Sequence, residues 1–567
     1  MKRVWSIIPQ QFRKRSIIVS LTILVRALLN AVGIAALLPI LYIILDSENI
    51  RNSQLLGAIY DKLGFQSVQT FVVAVALAVV AFIVAKCVIN LLLYRVERDY
   101  IFALYRHLSR NLYIDYFERG LQFIKSSNTA VLSRNVNVVC YTFVTGVLRP
   151  IAAIASEAML FALLFAALAW YNITAALLAL AIFLPVAWLY FRLVRRRLDR
   201  YGNIENEAQR RKYRDVTESY RGYAEIEINN AFPKMLSAFD REVETIVGVG
   251  RKNATIATLP TVFTEVGLVV AMALLVCLCA RMNGGEIKIL FGVFAVAALR
   301  LLPSIRNIMS AWTTLRYNRY TIDIVREAVS DKVAPSTERT TERITLRDKI
   351  DINGVSFRFA DGTRDTLHDL SLTIRRGEKV GINGRSGVGK TTLLNLLLGF
   401  YEPTEGTILI DDKPLTAAER RKWQNSIGYV SQSIFLTDST LRENIALGYT
   451  GSEIDEQRLQ RAVKLASLEQ FVGALPKGLD TRIGECGALL SGGQRQRIGI
   501  ARALYREAEV LFFDEATSSL DNDTERDINE AIAELSRTNS ELTIVVVAHR
   551  ESSLGYCDRI ITLTNNE

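Results

Sequence analysis

Apolar residues run almost unbroken through six segments of the chain: 16–45, 70–94, 147–170, 173–191, 256–281 and 287–309. Each is long enough to cross a bilayer core, which takes roughly 20 residues of helix. The connections between them alternate in character. Residues 46–69, 171–172 and 282–286 form short stretches with few basic residues, whereas 95–146 and 192–255 are long, polar and helix-patterned. The second long connection holds fourteen Lys and Arg residues. Basic loops stay on the cytoplasmic side, so the long connections and both termini are predicted to be cytoplasmic. After residue 310 the long apolar runs stop, and a charged, glycine-punctuated sequence of soluble type takes over. The pattern therefore predicts a membrane part followed by a soluble part.

Two local patterns refine this picture. In the first outer loop, 52–65 places Leu55, Leu56, Ile59 and Leu63 on one helical face, which predicts a short amphipathic helix or a packed loop. The long polar extensions of the spans predict either packing outside the membrane or a stalk on which a cytoplasmic domain docks.

Composition narrows the classes. The 567 residues exceed one ordinary domain, and the net charge is +10. The basic residues cluster beside the spans, at Lys2, Arg3, Arg13, Lys14 and Arg15 and again in 192–200, which fits a membrane topology signal and not nucleic-acid binding. No small-residue cleavage site follows the first apolar run, so an uncleaved first span is expected. Six cysteines without a C-x-x-C pair and only three histidines argue against a disulfide framework, a zinc site or a histidine-built metal site. Cys277 and Cys279 point to different sides of a helix and read as small apolar residues.

The soluble part carries recognisable chemistry. In "VGINGRSGVGKTTLLNLLLG" (380–399) an apolar strand runs into Gly384, Ser386, Gly387, Gly389, Lys390, Thr391 and Thr392, and then into an apolar-periodic helix. Glycines let backbone N–H groups wrap phosphates, Lys390 can reach the β- and γ-phosphates, and the Thr391 hydroxyl can hold Mg²⁺ at a helix N-terminus. In "VLFFDEATSSLD" (510–521) a buried strand ends in Asp514, suited to Mg²⁺, and Glu515, suited to polarising a water. Between them, Ser491, Gly492, Gly493 and Gln494 open a helix in "LLSGGQRQRIGIARAL" and form a second anion cradle without a lysine. One chain needs one phosphate cradle for one nucleotide. A second makes sense if it closes over the nucleotide of another subunit.

With these motifs the whole chain resembles the ATP-binding cassette (ABC) family, as an exporter half-transporter. The resemblance implies an all-α six-helix membrane domain of type I exporter (type IV) fold over 1–320, a linker at 321–348 and an α/β P-loop cassette over 349–567. It implies ATP and Mg²⁺ as cofactors. Phe359 resembles the adenine-stacking aromatic, Gln432 the glutamine that touches Mg²⁺ and reports to the membrane domain, Asp521 the D-loop acid and His549 the γ-phosphate sensor. Phe359 stands where Tyr is commoner, and stacking needs only the ring face. Cys486 stands where many such exporters have a charged residue, which affects one contact to the membrane domain and leaves hydrolysis untouched. The tips near 121–128 and 216–223 resemble coupling helices, so the docking-stalk reading is preferred. With no catalytic element degenerate, a homodimer is expected, in a bacterial inner membrane.

Intramembrane charge suggests the cargo. Arg26, Lys86, Glu157, Glu265, Arg300 and Arg306 lie in or near the spans, where an ionised group costs at least ~2.5–3.5 kcal/mol on insertion scales. Four basic residues against two acidic ones leave a cationic surplus suited to phosphate or pyrophosphate. Arg26, Lys86, Arg300 and Arg306 are the expected cargo contacts, with internal pairing to a carboxylate such as Glu157 or Glu265 the alternative for any one of them. "RLLPS" in the sixth span and "GIAALLPIL" at the end of the first resemble the lipid-linked oligosaccharide flippases. The expected function is outward movement of an anionic lipid-linked saccharide. Export of other lipids, peptides or drugs is the alternative, and a cassette-gated channel or a non-transport ATPase forms a third class.

Overall fold

The computed structural model describes residues 2–36, 60, 62, 65, 67–171, 173–279, 284–330, 341–360, 362–484, 487–515, 522–538, 540–548 and 554–564. Contacts divide the chain into two units. One is Met1–Arg119 with Phe123–Pro335, the other Gly120–Gln122 with Ser336–Glu567. Most of the outer segment 52–65, the end of the first predicted span, Cys486, Asp521 and His549 lie outside the described residues.

The first unit is helical. After a short helix Lys2–Ile7 come α1 (Gln10–Ala35), α2 (Val68–Glu118), α3 (Arg149–Tyr171), α4 (Ile173–Arg221), α5 (Phe232–Cys279), α6 (Gly284–Tyr317) and α7 (Tyr320–Ser330). The first six overlap the six predicted apolar segments in order. By length and hydropathy, four helical stretches among the described residues can cross a membrane: Gln10–Gly33, Gln69–Glu118, Thr129–Trp170 and Phe232–Val270. The 49 residues of α4 would extend about 70 Å at 1.5 Å per residue, more than twice a hydrocarbon core of about 30 Å. Its polar half therefore continues one helix beyond any bilayer. Just before α3, two π-turn segments, Asn135–Val139 and Val144–Leu148, interrupt the α-helical ladder.

Helix α7 occupies the start of the segment read as a linker. The reason is packing: Val325 is buried, and it joins Val4, Ile7, Ile8, Phe12, Ile101 and Leu104 in one apolar cluster. At the other end of that segment Leu346 already belongs to the core of the second unit.

In the second unit, β1 (Lys349–Phe357), β2 (Leu367–Arg375), β4 (Glu405–Ile410) and β5 (Lys413–Pro414) form an antiparallel sheet in the order β2-β1-β4-β5. The other sheet is parallel, in the order β6-β7-β8-β3-β9, from β3 (Lys379–Gly384), β6 (Ile427–Val430), β7 (Val510–Asp514), β8 (Thr543–Val547) and β9 (Arg559–Leu563). Every residue of β7 and β8 is buried, as a parallel sheet covered on both faces requires. Alternate residues enter two cores. Leu511, Phe513, Ile544 and Val546 face a core with Leu441, Leu459 and Ile498, while Val510, Phe512, Val545 and Val547 face one with Leu393, Leu397 and Trp423.

Of the two readings open for each intramembrane charge, cargo contact or internal pairing, Arg26 takes the second. Arg26 is buried and forms an ion pair with Glu97, with its guanidinium carbon 3.3 Å from the Tyr94 ring centroid. Glu97 lies three residues past the predicted second span, so the count of four bases against two acids omitted it. Arg26 is therefore an internal link between α1 and α2 and not a free cargo contact. Asn90 Nδ2 donates to Asn30 Oδ1 at 3.0 Å between the same helices. Removing one member of a buried pair strands the other and costs ~3–5 kcal/mol, whereas replacing both with apolar residues is often neutral. Accordingly Glu97→Leu should lower the thermal midpoint of the full-length protein clearly, and Arg26→Met with Glu97→Leu should recover most of the loss. A double variant no more stable than the single one would contradict this role.

Candidate nucleotide site and intramembrane charges

The nucleotide residues gather where the parallel strands end. Strand β3 stops at Gly384, and α8 (Lys390–Leu397) begins after five intervening residues. The turn between them needs glycine at two places. Gly384 has φ +152°, and a Cβ there would sit 2.8 Å from the Leu563 carbonyl oxygen. Gly389 has φ +102°, and a Cβ would sit 2.8 Å from Leu367 Cδ2 and 3.0 Å from the Thr366 oxygen. Ser386 and Gly387 are exposed at the tip, with Thr391 exposed and Thr392 buried on the first turn of α8. Lys390 is buried, and its Nζ donates to the carbonyl oxygens of Gly384 at 2.6 Å and Arg385 at 3.2 Å. Burial pulls the Lys390 pKa below its ordinary value, while the carboxylates of Glu515 and Asp514 oppose that shift. The ammonium thus bridges loop carbonyls in the free protein and faces the acids across the site.

Asp514 ends β7 and is buried. Burial and the nearby Asp514 together push the Tyr429 hydroxyl pKa well above its usual range, which keeps that phenol neutral beside the carboxylate. Glu515 follows in the left-handed region, at φ +50°, with its N–H donating to Val547 O at 2.9 Å. That backbone turn swings the Glu515 side chain out of the strand. Gln432 Nε2 donates to Glu515 Oε2 at 2.7 Å, across 83 residues of sequence. The glutamine and the candidate water-polarising acid are therefore coupled directly. A hydroxyl at Thr391 and a carboxylate at Asp514 are hard oxygen donors, the kind Mg²⁺ takes, so the residues present fit that ion.

Phe359 is 38% exposed. It stands edge-on to Phe357 at 5.0 Å and to Tyr401 at 5.8 Å, while those two rings stack at 5.1 Å. Two rings thus hold an exposed third ring, the kind of surface on which a planar base stacks. Ser491 caps helix α9 (Gly492–Tyr505): its Oγ accepts from Gln494 N at 3.2 Å, and Gln494 Oε1 accepts from Ser491 N at 2.9 Å. Gly492 and Gly493 form the first turn behind that cap. Helix α9 packs through Ile498 and Ile500 into the core with Leu441 and Leu459, whereas α8 packs into the other one. The two anion cradles thus belong to different cores of the cassette.

Of the candidate cargo residues, Arg306 is exposed on α6, and no ion pair involves it among the described residues. The Arg300 side chain lies outside the described residues. Lys86 is half-buried and lies over Gly33, where an added Cβ would come 2.7 Å from its Nζ. Glu157 accepts from Asn307 Nδ2 at 2.9 Å, and Glu265 is exposed. Neither acid pairs with an arginine among the described residues.

A phosphate-wrapping loop, paired acids at a strand end and a helix-capping Ser-Gly-Gly-Gln in one cassette define a nucleotide-binding domain joined to a helical membrane unit. Residues 367–518 match the family model described as "ABC transporter". The lipid A-core flippase of Bordetella avium is 38% identical over 53% of this chain and 49% of its own length. That of Bordetella pertussis is 33% identical over 69% and 63%, and the putative multidrug export ATP-binding/permease protein YgaD of Bacillus subtilis is 36% identical over 47% and 45%. The chain thus spans about half to two-thirds of the length of these relatives. A bacterial Atm1-family ABC exporter with ATP bound superimposes with a TM-score of 0.76, covering 98% of this chain and 94% of that one at 23% identity. Residues 367–518 carry the cassette of the ABC transporter family, and the chain has the fold of an ABC exporter half-transporter.

Base–aromatic stacking contributes ~1–3 kcal/mol, so Phe359→Leu should weaken ATP binding by about 5- to 150-fold while Phe359→Tyr leaves it nearly unchanged. Equilibrium titration with a fluorescent ATP analogue reads both. Equal losses in the two variants would remove the stacking role.

Proposed function

We propose that this protein is an ATP-driven flippase that moves an amphiphilic, anionic lipid-linked saccharide outward across a bacterial inner membrane. It works as a dimer of identical half-transporters, each with six spans and cytoplasmic termini. The observation that carries the reading is the pairing of the nucleotide residues with an Arg306 on α6 that is exposed and has no ion-pair partner among the described residues. Relatives named lipid A-core flippases support a lipid as cargo.

In this reading Phe359 holds the adenine, the loop from Gly384 to Gly389 wraps the phosphates, and Lys390 leaves its loop carbonyls to meet the β- and γ-phosphates. Thr391, Asp514 and Gln432 would hold Mg²⁺, which neutralises phosphate charge when bound. Glu515, oriented by Gln432, accepts a hydrogen bond from the attacking water and aligns it with the γ-phosphate. His549 senses that phosphate, and Ser491 to Gln494 with Asp521 close over it from the second subunit. Closure of the two cassettes then biases the helical units towards the outward-open state, and hydrolysis releases them.

Arg306 and Arg300, six residues apart on α6, do not form one stripe, yet both can border a broad cavity. They attract an anionic headgroup and pass it on. Replacing both with Gln should leave basal ATPase activity largely intact, because the cassette is untouched, and lower the flipping of a pyrophosphate-linked lipid saccharide in proteoliposomes. Glu515→Gln, which stops turnover, sets the background. Full-rate flipping by a folded double variant would refute the anion-cavity reading. Undiminished export of a neutral drug by the wild type alone would favour the multidrug alternative, towards which the Bacillus subtilis relative's name points.

A further inference from the structure

A second basic site lies away from α6, on the flank where α1 meets α2. A groove of about 570 Å³ there is lined by Gln11, Phe12 and Arg15 from α1 and by Arg106, His107 and Arg110 from α2. Gln11 and Arg15 are four residues apart, as are Arg106 and Arg110, so each helix presents one row to the groove. Arg15, Arg106 and Arg110 are exposed, no acidic residue lines the groove, and no ion pair involves them among the described residues. The floor is built, not incidental. Phe12 is buried against the His107 ring at 5.1 Å, Gln11 Nε2 lies 3.1 Å from His107 Nδ1, and Asn111 Nδ2 lies 2.9 Å from His107 Nε2. The walls are fixed to each other by the Ser16–Tyr100 hydrogen bond at 2.6 Å and by the Arg26–Glu97 pair.

What surrounds the groove identifies the ligand. Along α1 the row Gln11–Arg15 continues into exposed Ile18 and Leu21, and beside it Ile17 is also exposed. Along α2 the row Arg110–Arg106 reaches a single exposed aromatic, Phe102, one turn before the exposed Arg98–Asp99 pair. On α1 Arg15 therefore stands at the edge where outward-facing apolar surface begins, and Arg106 and Arg110 of α2 face it across the groove. A free phosphate would need only the arginines. A phospholipid would use both parts, its phosphate among the guanidinium groups and its acyl chains along Ile18, Leu21 and Phe102.

We propose that this groove binds the phosphate of an anionic phospholipid from the cytoplasmic leaflet, at a site separate from any cargo cavity around α6. The proposal rests on the cytoplasmic placement of the N-terminus and not on the identity of the cargo.

The test is native mass spectrometry of the full-length protein in detergent, titrated with phosphatidylglycerol or with phosphatidylcholine. The wild type should retain phosphatidylglycerol preferentially. Arg106→Gln with Arg110→Gln should weaken that retention by about 25-fold, at roughly fivefold per arginine near an anionic lipid. Arg13→Gln with Lys14→Gln removes two neighbouring charges that do not line the groove, and should retain the lipid as the wild type does. Equal retention by the groove variant would overturn the proposal, as would an equal loss in the control variant. Displacement of the lipid by millimolar glycerol phosphate alone would assign the groove to a soluble anion and overturn the lipid assignment. Because retention is read without ATP or transport, its failure is distinguishable from failure of the flippase reading.

Discussion

The cassette depends on one geometric constraint: parallel strands all end on the same edge of their sheet. Strands β3, β7 and β8 lie side by side, so Gly384, Asp514 and Val547 come to a common rim although 130 residues separate the first from the second. At that rim the backbone bends sharply. Gly384 and Gly389 take conformations closed to other side chains, and Glu515 enters the left-handed region. The full burial of β7 and β8 over two cores holds these bends in place, since neither strand can shift without exposing apolar side chains on both faces.

In the helical unit the governing constraint is the cost of charge in an apolar medium. Arg26 meets it locally, through Glu97 and the Tyr94 ring, and in doing so ties α1 to α2. Arg306 has no such partner among the described residues. The same accounting distinguishes two kinds of arginine: one buried and structural, the others exposed and available to an anion. The groove of Arg15, Arg106 and Arg110 belongs to the second kind, with its walls set by the first.

Local signals were legible in the sequence, and distant pairings were not. The glycines before Lys390, the apolar run into Asp514 and the Ser-Gly-Gly-Gln opening of α9 each lie within a few residues, where spacing alone specifies strand, loop and helix cap. The apolar segments likewise predicted where the long helices run. The Arg26–Glu97 pair joins positions 71 residues apart, and no periodicity reports which acid meets which base. The Gln432–Glu515 bond is hidden for the same reason: it exists because β6 and β7 are neighbours in the sheet. Helix α7 is not legible as a packed helix in the sequence, because its polar composition masks the few apolar positions, Ile322, Ile324 and Val325, that pack inward.

The central claim is that one nucleotide is enclosed by the loop of one subunit and the Ser491 cap of another. The two cradles lie over different cores of the same cassette. Purified mixed dimers carrying Lys390→Ala in one chain and Ser491→Arg in the other test this directly through their steady-state ATPase rate. Shared sites leave one intact pair per dimer, so the mixed species should regain about one site's worth of ATP hydrolysis over either parent variant. Mixed dimers as inactive as both parents would contradict it.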